Sequence, residues 1–132
     1  MRTLVIGLPG CGKTTWAREH MTDDTLVYDL DAIAAALRLR DPHEEYHAGA
    51  RHMANDFLFG FLQQVGLYAG NTIVIRTAPT VPQAARMKPD RIVWCRRRYV
   101  DRKADDEDEL FNRIVTLARW AEQNDVTLWV EG

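Results

Sequence analysis

The sequence predicts an α/β fold, one domain over residues 1–132 with a five-stranded parallel sheet between layers of helix. Three observations predict it. Short apolar runs rich in β-branched residues recur at 3–6, 25–29, 72–75, 91–95 and 126–130. Helical patterning separates them, so right-handed crossovers and parallel strands follow as the default. The first run passes directly into Gly7-Leu8-Pro9-Gly10-Cys11-Gly12-Lys13-Thr14, which has the form G-x-x-x-x-G-K-T, and then into a helix.

That order of strand, glycine loop and helix is the phosphate-binding P-loop. Gly7, Gly10 and Gly12 let the main chain turn tightly and approach phosphate oxygens. Successive N–H groups of the loop form an anion nest along a stretch that includes Pro9, Cys11 and Thr15, and the helix beginning at Lys13 adds its positive end. Lys13 is placed to reach the β- and γ-phosphates, and Thr14 to put its hydroxyl on Mg²⁺. Cys11 lies close to a helix N-terminus, which favours a lowered thiol pKa, although a small tolerated residue is the simpler reading.

The first helix runs over 13–20, with Trp16, Ala17 and His20 on one side. A polar turn leads to the second strand, which ends in Asp29-Leu30-Asp31 before an Ala/Leu-rich helix at 32–39. Ligands of open parallel sheets bind at the carboxyl ends of the strands. Asp31 is therefore a candidate base for an attacking hydroxyl, with the N-cap of the 32–39 helix as its other reading. Asp29 is a candidate for holding Mg²⁺ or a water on it. His43, His47 and His52 follow within ten residues, but no cysteine or further ligand at ordinary spacing makes them a zinc site. They read as a solvated helix start or part of an acceptor rim.

A longer helix is expected from about 48 to 68. Met53, Phe57, Phe61 and Val65, with Ala54, Leu58 and Leu62 beside them, form its expected core-facing stripe. The third strand exits into Arg76-Thr77, where many P-loop enzymes carry an acid for the Mg²⁺ shell. Residues 79–87 read as a short helical or irregular connection. After the fourth strand come Arg96, Arg97, Arg98, Arg102 and Lys103, then a run of acids. Two readings stand: a lid whose arginine neutralises charge on a transferred phosphoryl group, with Arg97 and Arg98 preferred, or a solvated charge run. Asp105 is the expected cap of the last helix, which buries Leu110, Ile114, Leu117 and Ala121. Arg113 lies off that stripe and is a further lid candidate.

Composition bounds the rest. The chain is 46% hydrophobic and 27% charged, with a net charge of −2, so bulk charge does not mark a nucleic-acid binder. No apolar run is long enough to span a membrane. Met1 leads straight into the first strand, with no signal-peptide pattern. Two widely spaced cysteines suit a reducing compartment, and a cytoplasmic setting is expected.

The stretch from Gly7 to Glu19, including Thr15-Trp16-Ala17, together with Tyr28-Asp29-Leu30-Asp31, resembles the kinase domain of phage-type polynucleotide kinases. It is also similar to the wider group of small P-loop kinases, zeta-toxin-like kinases included. The resemblance implies the three-layer P-loop NTPase fold with strand order 2-3-1-4-5. It implies Lys13 and Thr14 as nucleotide and Mg²⁺ ligands, and Asp31 as the base that activates a 5′-hydroxyl or similar alcohol. That family carries an arginine shortly after the aspartate, on the acceptor's phosphate. Here Ala34 stands at the matching place, and Thr77 where the acid of the third strand is expected.

The expected activity is transfer of the γ-phosphoryl group of ATP, with GTP as the other candidate donor, to a hydroxyl of a nucleotide, nucleoside or nucleic-acid end. The alternative is a nucleotide-binding module that turns over weakly and acts through a partner protein.

Overall fold

The computed structural model describes residues 1–41, 47–96 and 107–132. Strands β1 (Arg2–Ile6), β2 (Thr25–Asp29), β3 (Asn71–Ile75), β4 (Arg91–Cys95) and β5 (Thr127–Glu131) form one sheet in the order β2-β3-β1-β4-β5. Every pairing is parallel, so all five carboxyl ends meet at one edge. The helices are α1 (Lys13–His20), α2 (Leu30–Ala36), α3 (Ala48–Gln64), α4 (Val81–Met87) and α5 (Glu107–Gln123), with a 3-10 turn at Val65–Leu67 after α3.

Period-two alternation along the strands divides the core. Leu4, Ile6, Val74 and Ile92 face a large core filled from α2 to α5 by residues such as Leu30, Leu58, Met87, Ile114 and Leu117. Val5, Ile73, Ile75, Val93 and Cys95 face a smaller core capped by Trp16 and Ala17 of α1. β1 sits at the centre, covered on both faces, which is why its apolar run is continuous. Among the described residues, no helix is long and apolar enough to cross a membrane.

Two local expectations are corrected. First, α2 starts at Leu30, and its N-cap is Asp29, whose side chain accepts from the N–H groups of Asp31 and Ala32. Asp31 is therefore not the cap; it lies in the first helical turn. The reason is Leu30, which is buried in the large core and brings the helix start forward. The same helix ends at Ala36, before Leu39, whose φ is 55°.

Second, α3 buries Ala50, Ala54, Leu58 and Leu62, while Met53 and Phe57 are 49% and 46% exposed. Tyr28 explains the rotation. Its hydroxyl donates to the carbonyl of Ala54 at 2.6 Å in a buried position, which ties the Ala54 side of α3 to β2. Phe61 still packs on this core, with its ring 5.1 Å from that of Tyr28.

The connection after β3 takes the helical of its two readings, as α4. Thr80 and Gln83 form a reciprocal capping box at its start, and Pro82 follows in the first turn. The expected cap of α5, Asp105, lies outside the described residues. Glu107, Asp108 and Glu109 occupy the first turn of α5, where acids favour the helix dipole.

Candidate active site

The glycine loop leaves the central strand and is tied to its neighbour. Arg76 donates its N–H to the carbonyl of Val5, and Gly7 donates its own to the carbonyl of Thr77, each at 3.0 Å. Gly7 has no room for a side chain: a Cβ there would stand 2.6 Å from the carbonyl oxygen of Cys95 and strike the sulfur of Cys11. Gly12, with φ at 87°, is the left-handed residue that turns the loop into α1. Lys13 folds back over the loop. Its Nζ donates to the carbonyls of Gly7 (2.8 Å) and Leu8 (3.1 Å) and lies 3.7 Å from the sulfur of Cys11. The ammonium thus lies over the loop's carbonyls, and the loop is closed on itself by the N–H of Cys11, which donates to the carbonyl of Leu8 at 3.2 Å. Thr15 stands exposed on the first turn of α1.

Both thiols are buried, and they share a proton unevenly. Cys11 is pulled down from 9.0 to about 6, first by its hydrogen bond with Cys95 and then by the charge of Lys13, against the opposing effect of burial. Cys95 is pushed up by the same hydrogen bond and by burial. The two thiols titrate as a pair, and the Lys13 ammonium beside Cys11 favours the thiolate there.

Thr14 lies on the β2 side of the loop. Its hydroxyl donates to Oδ2 of Asp29 at 3.3 Å, while Oδ1 of Asp29 accepts from the N–H groups of Asp31 (3.2 Å) and Ala32 (3.4 Å). One carboxylate thus caps α2 and addresses the loop threonine. A hydroxyl and a carboxylate in contact suit a hard cation such as Mg²⁺, which takes few protein oxygens and completes its shell with phosphate and water. Thr14 and Asp29 fit such an ion; Asp29 ends β2, whereas neighbouring β3 exits into Thr77, where an acid is expected.

Asp31 opens onto a different space. Its Oδ1 is bonded by Nη1 of Arg51, from the first turn of α3. A cavity of about 170 Å³ adjoins this pair, and Arg76, Thr77, Thr80 and Arg113 also line it. Arg113 donates to the carbonyl of Ala78 at 3.1 Å and to Glu109 at 3.1 Å. Arg76 is lowered to about 10, chiefly by burial and then by repulsion from Arg51, with Asp31 acting in the opposite sense. It therefore stays charged at neutral pH. Its Nη1 is buried without a hydrogen-bond partner among the described residues.

A second cavity, of about 200 Å³, lies on the other side of the loop, against Cys11, Gly12, Thr15, Trp16, Cys95 and Glu131.

The structure thus brings together Lys13, Thr14 and Asp29, and sets Asp31 with Arg113 around the first cavity. Arg97 and Arg98, and with them Arg102, Lys103 and His43, lie outside the described residues. Arg96 packs its guanidinium 5.4 Å from the ring centre of Trp94. His47 acts as a helix cap, its Nδ1 accepting from the N–H of Ala50 at 3.0 Å. His52 is exposed and pairs with Asp56 at 3.5 Å. Ala34 is buried in the large core, pointing away from solvent. Arg51 and Arg76 were not anticipated as site residues. Arg76 carried a signal, a charge at the carboxyl end of an apolar strand; Arg51 carried none, since α3 brings it to Asp31 from twenty residues away.

A parallel sheet in this order, with a glycine loop leaving its central strand, defines a nucleotide-binding P-loop domain with the strand order of P-loop kinases. The AAA-domain family matches residues 3–127, and the chain belongs to that family. No curated protein matches the chain. Among solved structures, it is similar to a chain of the Pnkp1/Rnl/Hen1 RNA repair complex, with a TM-score of 0.52 and 17% identity over 93% of this chain. That match spans only 38% of the other chain's length. It is also similar to an unliganded sugar kinase from Janibacter sp. HTCC2649, with a TM-score of 0.50 and 16% identity, covering 98% of this chain and 83% of that one. At such identities the likeness is one of fold.

Proposed function

We propose that the protein is an ATP-dependent phosphotransferase that moves the γ-phosphoryl group to a hydroxyl of a nucleotide, nucleoside or nucleic-acid 5′ end. One observation carries this reading: a phosphate loop and a separate cavity bordered by a carboxylate lie side by side at the carboxyl edge of one sheet. A hydrolase needs a residue to orient water but no cavity for an acceptor. The RNA-repair setting of one structural neighbour supports keeping a nucleic-acid end among the acceptors. Two buried free thiols suit a reducing, cytoplasmic setting.

In this mechanism the loop amides and Lys13 bind the β- and γ-phosphates and take up the charge that develops on them. The nucleoside lies in the cavity beside Thr15 and Trp16. Thr14 and Asp29 would hold Mg²⁺, which when bound supplies charge neutralisation across the phosphates. Asp31 receives the proton of the acceptor hydroxyl as its oxygen bonds to the γ-phosphorus and the bond to ADP breaks. Arg51 fixes the direction of that carboxylate. Arg97, Arg98 or Arg113 supplies a further positive charge to the transferred group.

The ion pair between Arg51 and Asp31 favours a second reading, a nucleotide-binding module with weak turnover that acts through a partner protein, because the carboxylate is already engaged. Asp31→Asn separates the two. The phosphotransferase should lose about 10²–10⁴ in kcat and keep its ATP affinity; a binding module should be indifferent. Lys13→Ala should abolish nearly all turnover with little effect on folding, and full activity in that variant would refute the leading reading. Radiolabelled ATP offered with nucleosides, nucleotides and 5′-hydroxyl oligonucleotides identifies the acceptor.

A further inference from the structure

The mechanism proposed above leaves two thiols without a task, one in the glycine loop and one at the end of β4. We propose that Cys11 and Cys95 are a dithiol site that a hydroperoxide closes to a disulfide, and that the new bond tethers the loop to β4 and lowers its affinity for nucleotide. Formation of the bond is independent of the phosphotransferase reading. Its effect rests on the part of that reading in which the loop binds a nucleoside triphosphate.

Proximity is the first argument. The chain has two cysteines, and the fold brings both into the smaller core, where their thiols share a hydrogen bond. They meet over Gly7. A Cβ there would strike the sulfur of Cys11 and stand 3.4 Å from the Cβ of Cys95. The side chain that Gly7 lacks is thus the room in which the two thiols face each other.

Reactivity is the second. The thiolate, not the thiol, attacks a peroxide. The Nζ of Lys13 lies 3.7 Å from the sulfur of Cys11, and α1 begins two residues further on, with its positive end toward the loop. Both favour the thiolate of Cys11. Burial and the shared hydrogen bond keep Cys95 a thiol. The roles therefore divide: Cys11 attacks and Cys95 resolves.

Access is the third. Both cysteines line the cavity of about 200 Å³ beside Thr15 and Trp16. A small hydroperoxide fits that space, and a nucleoside seated there would exclude it.

The reaction has two steps. The Cys11 thiolate attacks one oxygen of the hydroperoxide, the O–O bond breaks, and the alkoxide leaves and takes a proton from solvent. Cys11 is then a sulfenic acid. The sulfur of Cys95 attacks the sulfur of Cys11, the S–O bond breaks, and hydroxide leaves with the Cys95 proton as water. The two sulfurs lose two electrons, and the hydroperoxide is reduced to an alcohol and water. The bond draws the thiols closer than their hydrogen-bonded contact. It thereby fixes a loop in which the N–H of Cys11 is turned to the carbonyl of Leu8 and away from an incoming phosphate.

The test uses the full reduced chain and hydrogen peroxide, with and without Mg²⁺ and a non-hydrolysable ATP analogue. Intact mass and peptide mapping follow the thiols, and calorimetry reads affinity for the analogue before oxidation, after it, and after dithiothreitol. Wild type should lose two hydrogens and yield one intramolecular Cys11–Cys95 link. Affinity should fall tenfold or more and return with dithiothreitol, and bound analogue should slow the oxidation severalfold. In Cys95→Ser the sulfenic acid has no resolving thiol, so dimedone should label Cys11. Two thiols still free after peroxide, or sulfinic acid in place of the link, overturn the proposal. So does a link that leaves affinity unchanged, a result under which the nucleotide-binding reading survives. A reduced protein that binds no analogue removes that reading and the switch with it, while the mass still decides whether the bond forms. The wild-type comparison needs no variant, so misfolding of Cys95→Ser leaves it intact.

Discussion

Asp29 performs two tasks with two oxygens, and substitution separates them. Oδ1 accepts from two N–H groups at the start of α2, and Oδ2 accepts from Thr14. Asp29→Ala removes an N-cap, which costs about 1 kcal/mol, and a partly buried hydrogen bond, which adds about 1 kcal/mol. The loss of about 2 kcal/mol corresponds to a fall in Tm of about 7 °C for a chain of this size. Asp29→Asn keeps an oxygen for the cap and turns its NH2 to Thr14, whose hydroxyl can accept, so its stability should stay within about 0.5 kcal/mol of wild type. Its amide has no charge for a cation, however. Mg²⁺-dependent turnover should therefore fall about 100-fold or more in Asp29→Asn, despite a near-normal melt. Thermal unfolding by circular dichroism, paired with a Mg²⁺ titration of phosphotransfer, measures both halves. An Asp29→Asn protein with wild-type turnover and Mg²⁺ dependence would show that Asp29 is a helix cap and nothing more.

Three other outcomes are expected. Gly7→Ala should cost about 3 kcal/mol or fail to fold, because the new methyl meets the carbonyl of Cys95 as well as a movable sulfur; chemical denaturation reads this directly. The folded-state pKa of Cys11 lies below its unfolded value, so its stabilising contribution is complete above 9.0 and is lost as pH falls to about 6. Stability measured against Cys11→Ser should therefore decline over that window, and ultraviolet absorbance should report a thiolate forming near its lower end. Finally, Leu58→Ala should cost about 3 kcal/mol, whereas Phe57→Ser, on the exposed side of α3, should stay within about 0.5 kcal/mol.

The sheet and the loop were legible because their signals are local. A β-branched run buried on both faces and three glycines at fixed spacing say the same thing wherever they occur. The strand order came through family resemblance, since periodicity is blind to which strands pair. What the sequence concealed depended on distance along the chain. Met53 and Phe57 are as apolar as Leu58, and nothing local distinguishes the two faces of α3; the Tyr28 hydroxyl, reaching across from β2, chooses between them. Asp29 and Asp31 both precede an apolar segment and either could cap it, until the burial of Leu30 fixes where the first turn begins. The arginine cavity was hidden for the same reason. Arg51, Arg76 and Arg113 are separated by dozens of residues and meet only when three elements converge.

The separation between donor and receiver follows from the sheet itself. The glycine loop hangs from β1 and the Asp29–Asp31 segment from β2, with β3 alone between them. Adjacent strands are spaced about 4.8 Å apart, so the two attachment points are held about 10 Å apart by a ruler made of main-chain hydrogen bonds. Side chains on α3, α4 and α5 can change what the cavity grips without lengthening that ruler. Under the proposed phosphotransfer, a lineage of such proteins is thereby free to exchange one receiving molecule for another while the distance the phosphoryl group travels stays constant.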